Sequence, residues 1–346
     1  MAGPAEAGRR AYGRVTGRLT SLPILALSVH SACNCRCVMC DIWKANADKR
    51  EIGIDVLDRH IAAIRALHVQ RVMLTGGEPL LHSNLWALCD RLQQHGIAIT
   101  LVTTGLLLAP HVDAIAATID ELVVSIDGDA AIHDEIRRVR GGFERISRAI
   151  GLLNNHAARP RTIARAVVQR RNCARLVEAV QAIALIGVDR LSFLAADISS
   201  AAFNRPEPWS ADRVAEIALS RDELPVLAAS IRAVGVQCAE SVAKGFVAGG
   251  LDALWRIYDY YAALAGVGAL PPVHCNAPWV SAVMEPGGSL RPCFFLPPYE
   301  ENAERGLEVA LNGASAVAFR RSLRIAKNDT CKRCVCTLSL PWWGRA

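Results

Sequence analysis

Three cysteines, Cys33, Cys37 and Cys40, stand in the spacing CxxxCxxC within Ser31-Ala-Cys33-Asn-Cys35-Arg-Cys37-Val-Met39-Cys40. Three thiolates on one short loop can hold three corners of an iron-sulfur cube. The fourth iron then keeps an open position for a small molecule, whereas a structural metal site closes all four. Two blander readings use the same residues: a zinc site with Cys35 as fourth ligand, or unligated buried thiols. A second group lies far along the chain, with Cys275, then Gly288-Ser-Leu-Arg-Pro-Cys293, then Cys331-Lys-Arg-Cys334-Val-Cys336. Thiolates from a hairpin-like segment and a CxxC turn could enclose a cluster or a zinc ion. Because CxxC is the usual chelate turn, Cys275, Cys293, Cys331 and Cys334 are the expected ligands and Cys336 a spectator. Cys35, Cys89, Cys173 and Cys238 read as small buried hydrophobes.

The elements that must position these loops follow from periodicity. Short β-rich runs at Ile24 to Val29, Arg71 to Thr75, Ala98 to Thr103, Glu121 to Ile126, Ala164 to Val168 and Arg190 to Leu194 alternate with amphipathic stretches such as Ile54 to Leu67 and Ala174 to Ile186. Six βα units imply an α/β fold with parallel strands in a partial (β/α)6 TIM-like barrel. The expected divisions are a basic N-terminal extension at 1–22, the barrel at 23–209, a helical connector at 210–270 and a small C-terminal domain at 271–346. The last is rich in Gly, Pro, Cys and Trp and needs something other than a large core to organise it.

Composition narrows the class. A net charge of +6, with Lys and Arg scattered, gives no nucleic-acid stripe. With no apolar run of membrane-spanning length and no signal-peptide pattern, a cytoplasmic chain without membrane attachment is expected. Twelve cysteines in 346 residues without a secretory signal point to metal or redox chemistry rather than disulfides.

The cysteine loop, together with Thr75-Gly76-Gly77-Glu78-Pro79-Leu80 after the second strand, resembles the radical S-adenosylmethionine (SAM) superfamily over about residues 23 to 200. The missing Cβ of Gly76 and Gly77 would let backbone carbonyls approach a ligand's ammonium group. Further matches fall in order at successive strand ends, the face where barrel enzymes place their chemistry. They are Thr103-Thr104-Gly105, Ser125-Ile-Asp127-Gly128 and the segment Arg165 to Asn172. The resemblance implies that Cys33, Cys37 and Cys40 hold a catalytic 4Fe-4S cluster, that SAM chelates its open iron, and that Met39, Gly76, Gly77, Glu78, Thr103, Ser125, Asp127 and Arg165 contact the cofactor. Reductive cleavage then yields a 5'-deoxyadenosyl radical. The C-terminal cysteines resemble the twitch module, a shortened relative of the SPASM domain, which implies one auxiliary 4Fe-4S cluster.

On that resemblance, the expected activity is hydrogen abstraction from a small polar metabolite with net oxidation through the auxiliary cluster, fed by a reductant such as flavodoxin or ferredoxin. The loop from Ala195 to Arg205 is polar enough to orient a substrate. Peptide maturation is the runner-up, set behind because only about 22 residues precede the barrel, too few for a peptide-binding domain. Redox-neutral rearrangement, epimerisation or decarboxylation of a sugar or nucleotide stays open, and a zinc-stabilised binding protein is the remote alternative. The substrate and the oligomeric state are not legible.

Overall fold

The structure is a computed structural model that describes residues 4–205, 207–300 and 302–341. Six strands run parallel in chain order: β1 (Ile24–His30), β2 (Arg71–Gly76), β3 (Ala98–Thr103), β4 (Glu121–Ser125), β5 (Arg161–Val168) and β6 (Arg190–Ala195). In β5 the buried Thr162, Ala164, Ala166 and Val168 alternate with half-buried Ile163, Arg165 and Val167. Period two of this kind turns one face to the helices and the other to the lumen. The six expected strands are all present, with β5 starting three residues earlier, at Arg161.

Ahead of the sheet lies α1 (Pro4–Thr16), and the crossovers use α2 (Ile54–Ala66), α3 (Leu85–Gln93), α4 (Val112–Thr118), α5 (Ala130–Arg137), α6 (Gly142–Asn154) and α7 (Leu176–Ile186). In α6 the fully buried stripe Ile146, Ala149, Ile150 and Leu153 follows the i, i+3, i+4, i+7 rule. Each large apolar side chain removed from water in such a stripe contributes about 1.5–3 kcal/mol. Residues 210–270 add α8 (Ala211–Ile217), α9 (Leu224–Gln237), α10 (Ala239–Ala243) and α11 (Gly250–Leu264). These are a further part of the barrel wall, since α9 packs on α7 and α11 on β6. The buried Tyr261 hydroxyl donates to the Val168 carbonyl at 2.6 Å and accepts from the Ala196 amide, tying this wall to the ends of β5 and β6.

The C-terminal segment is continuous with the sheet. After α12 (Ala277–Val280), β7 (Ser281–Met284) pairs parallel with β1, and β8 (Leu290–Arg291) returns antiparallel to β7. The order is therefore β6-β5-β4-β3-β2-β1-β7-β8, an open partial barrel with no β6–β8 pair among the described residues. Periodicity does not reveal β7 because its four residues are buried on both faces. The chain closes with α13 (Leu307–Leu311), α14 (Ala314–Ser322) and α15 (Asp329–Lys332).

The basic N-terminal segment is consumed internally, because α1 packs on α12 and α14. Arg10 is 2% exposed, pairs with Glu6 and donates to the Pro341 carbonyl at 2.9 Å. From the other side, buried Arg320 donates to the carbonyls of Gly17 and Leu311 and to the Tyr299 hydroxyl. Both ends of the chain thus brace the C-terminal module. No helix among the described residues is long and apolar enough to cross a membrane.

Candidate active site

The loop after β1 gathers Cys33, Cys35, Cys37 and Cys40 into one small cluster with Met39, Leu106 and Val139. Its backbone is clamped on several sides. Asn46, in the 3-10 turn Ile42–Ala47, accepts from the Cys33 amide and donates to the Cys33 carbonyl, both at 2.9 Å. Trp43 Nε1 donates to the Cys40 carbonyl at 3.0 Å, and the Val38 amide donates to the Ile136 carbonyl at 2.9 Å. Asp41 accepts from Trp209 Nε1 at 2.8 Å, which draws in the segment beyond β6. Asn46→Ala removes both bonds to Cys33, at about 0.5–1.5 kcal/mol for each lost hydrogen bond. The expected outcome is faster iron release from the anaerobically loaded protein on exposure to a chelator, with unchanged circular dichroism; equal release rates would refute the clamp.

Gly76 and Gly77 close the floor of the loop. Gly76 has φ +125°, a region side chains avoid. A Cβ on Gly77 would overlap the carbonyl of Ala32, one residue before Cys33. The Gly77 and Glu78 amides donate to the carbonyls of His30 and Ala32 at 2.8 and 2.9 Å. The missing Cβ of Gly77 therefore faces the cysteine loop's own backbone, a tighter reason for glycine than the approach of a ligand. Glu78 is wholly buried and accepts from the Leu80 amide, the Thr103 hydroxyl at 2.7 Å and the Thr104 amide at 2.6 Å. Burial pushes its carboxyl up, against those hydrogen bonds. Thr103 and Glu78 thus lock the ends of β2 and β3 to each other, while Thr104 Oγ1 donates to Asn34 of the cysteine loop.

Asp127, also wholly buried, accepts from the Val167 amide at 2.8 Å and from Arg137 Nε at 2.5 Å. Arg137, at the end of α5, in turn points Nη1 at Cys37 Sγ, 3.5 Å away. A hydrogen bond from Cys35 and the Arg137 charge together outweigh burial and bring the Cys37 thiol down to about 6, while burial pushes Cys40 up to about 12. Neither Arg137 nor Asn46 was found from sequence. Both stand among other polar residues on helical segments, with nothing local to single them out, and only the packing of α5 and of the 42–47 turn on the loop reveals them.

Two cavities lie beside the sheet, one at the β1 and β2 ends and one against the C-terminal module. The larger, about 820 Å³, is lined by Ser28, Thr75, Gly76 and Gly77 from the β1 and β2 ends, Phe203 to Arg205 from the loop after β6, and Glu285, Arg291 and Phe294 from the C-terminal module. The buried Arg205–Asp197 pair and the T-shaped Phe203–Phe295 contact hold the β6 loop in place. The smaller, about 250 Å³, is lined by Cys275, Cys293, Cys331, Cys334 and Cys336 together with Arg165. Cys336, set aside as a spectator from spacing, shares that cavity, and its carbonyl accepts from Cys334 Sγ at 3.0 Å. Arg165, expected among the cofactor contacts, faces these cysteines. Ser125 lies beside it across the β4–β5 ladder, and Met39 packs in the cysteine cluster. Cys89, Cys173 and Cys238 are core residues, as expected. No three His, Cys, Asp or Glu side chains among the described residues are gathered as tightly as a single ion requires.

A parallel α/β barrel with a triad of loop thiols at the C-terminal mouth and a glycine pair beneath it defines a cofactor-dependent barrel enzyme. Residues 27–191 match the family model described as the Radical SAM superfamily. The chain is 31% identical over 150 residues to the mycofactocin maturase MftC of Mycolicibacterium smegmatis, covering 42% of this chain and 38% of that protein. It is 36% identical over 133 residues to a GTP 3',8-cyclase of Xanthomonas campestris pv. campestris, covering 35% of this chain and 39% of that protein. These alignments span about two fifths of each curated relative. In fold it is similar to Streptococcus suis SuiB bound to its precursor peptide SuiA, with TM-score 0.65 at 18% identity over 94% of this chain and 73% of that one. Residues 27–191 are thus a radical SAM domain, and members of that superfamily use SAM and a 4Fe-4S cluster. The thiol triad, the glycine-floored loop and the C-terminal thiol-lined cavity are a donor set that fits these groups.

Proposed function

We propose that Cys33, Cys37 and Cys40 hold the catalytic cluster, that SAM occupies the 820 Å³ cavity beside Gly76 and Gly77, and that Cys275, Cys293, Cys331 and Cys334 hold an auxiliary 4Fe-4S cluster. When bound, these groups supply a hydrogen-abstracting radical and an acceptor for the electron left on the substrate, the proton passing to solvent. The observation that carries the reading is that the two cavities share Val283 and Phe294 as walls. The larger one is walled by Ser31, Ile42 and Ala45, which flank the cysteine loop, so a substrate seated there would border that loop on one side and the C-terminal module on the other, with β7 as the partition. Arg291 is fixed by Glu285 at 2.7 Å, and Arg205 by Asp197, so the cavity presents guanidinium groups whose charges are already compensated. Such a lining suits a polar substrate better than a free carboxylate.

The substrate class is a small polar metabolite undergoing two-electron oxidation, with a flavodoxin- or ferredoxin-type donor reducing the first cluster. A second reading, modification of a peptide side chain, is supported by the similarity to MftC. Reconstituted protein, dithionite and SAM are expected to release 5'-deoxyadenosine, with the amount rising in the presence of true substrate and matched by a product lighter by two hydrogens. A peptide that produces this rise, when metabolite pools do not, selects the second reading. No 5'-deoxyadenosine from fully iron-loaded protein would overturn both.

A further inference from the structure

Arg165 is an arginine without a counterion. It sits mid-strand in β5, opposite Ser125 of β4 and Ser192 of β6, so its strand neighbours offer hydroxyls and no carboxylate. Its Nε is buried with no hydrogen-bond acceptor, and it makes no ion pair among the described residues. The two arginines that follow behave otherwise, Arg170 pairing with Glu223 and Arg171 with Glu135. Arg165 is half-buried, and a guanidinium whose Nε is out of water without an acceptor favours an anion that faces it. What faces Arg165 is the 250 Å³ cavity with its five cysteines.

We infer that Arg165 is the charge-compensating residue of the C-terminal metal centre, a positioning residue on the barrel strand that sets the centre's reduction potential. The inference rests on the auxiliary-cluster reading. Four thiolate charges exceed that of an oxidised four-iron cube, so the bound cluster is an anion, and adding an electron makes it more so. A fixed cation beside it stabilises the reduced form more than the oxidised one and raises the potential. An acceptor built this way takes the substrate's electron more readily.

The test uses the full chain carrying Cys33→Ala, Cys37→Ala and Cys40→Ala, so that a signal comes only from the C-terminal cluster, in a redox titration followed by electron paramagnetic resonance. In this background Arg165→Met is expected to keep its iron and sulfide and to lower the midpoint by at least a tenfold change in the reduction equilibrium, about 59 mV for one electron. Arg165→Gln should do the same should the Met variant fold poorly, and Arg165→Lys should recover most of the shift. An unchanged midpoint in a neutral variant with full iron and sulfide overturns the inference while leaving the cluster in place. So does a tenfold loss of SAM affinity, measured by calorimetry in the Arg165→Met single variant, without a shift in potential. Zinc without sulfide in the Cys-to-Ala background would overturn the cluster itself, and the inference with it.

Discussion

With Cys33, Cys37 and Cys40 replaced together by Ala, the anaerobically reconstituted chain is expected to lose about four irons and four sulfides and all reductive cleavage of SAM. The effect should be complete because no neighbouring group can replace the lost thiolates. Cys35 is the only other cysteine in the cluster, and a single thiolate cannot hold a four-iron cube. Single replacements are a finer probe of the same loop. Cys37→Ala also deprives Arg137 of its sulfur acceptor, leaving a buried donor unsatisfied beside Asp127. Its folded-state stability should therefore fall further than that of Cys40→Ala, by about 1–3 kcal/mol. SAM cleavage retained in the triple variant, measured by chromatography of 5'-deoxyadenosine, would sink the ligand assignment.

How far the site could be read in advance depends on how local its determinants are. Strand phase is a nearest-neighbour property, so Ala98–Thr103 is read from sequence with the bounds the structure gives it. Three cysteines on one loop, or two glycines at one strand end, are likewise contiguous. What contiguity cannot supply is direction. Glu78, Thr103 and Asp127 belong to motifs that point at a cofactor, yet their side chains are spent joining β2 to β3 and β4 to α5 and β5. They shape the site by holding its loops rather than by lining the large cavity. Gly77 shows the same limit in another form. Its need for hydrogen in place of a side chain is legible, but the obstacle, the Ala32 carbonyl, is 45 residues earlier in the chain and appears only once β1 and β2 pair.

The C-terminal module is where sequence is least informative, for a physical reason. Its elements are too short for periodicity, with β8 only two residues long and α12 and α15 four each. Its order comes from long-range contacts, including Arg10 to the Pro341 carbonyl and Asn276 to the carbonyls of Leu338 and Leu340 and the amide of Leu340. Basic residues near the N-terminus read only as a basic extension because nothing local marks Arg10 as the partner of a segment some 330 residues away.

The double replacement Cys331→Ala, Cys334→Ala tests whether those contacts suffice without metal. It is expected to remove the other half of the iron and sulfide, about four of each, because one cube loses two of its four ligands. Among the described residues the N-terminal loop shares no hydrogen bond with Cys331 or Cys334, so uncoupled release of 5'-deoxyadenosine should continue, whereas substrate oxidation should stop for want of an acceptor. Cys331 is buried against Trp279, Leu296 and Leu323, so its truncation also loosens the small core; the change should lower the unfolding midpoint of the module even in metal-free protein. Comparing metal-free and loaded forms by calorimetry separates the two contributions. Cys336→Ala is the discriminating control. Its thiol lines the same cavity as the four proposed ligands, and with Cys334 as the ligand the variant should keep its iron and its oxidation. If Cys336→Ala strips the cluster and Cys334→Ala does not, Cys336 is the fourth ligand, and the 3.0 Å hydrogen bond from Cys334 Sγ to its carbonyl marks Cys334 as the residue that shapes the turn. Full iron in the double variant, with zinc lost instead, would remove the auxiliary cluster altogether.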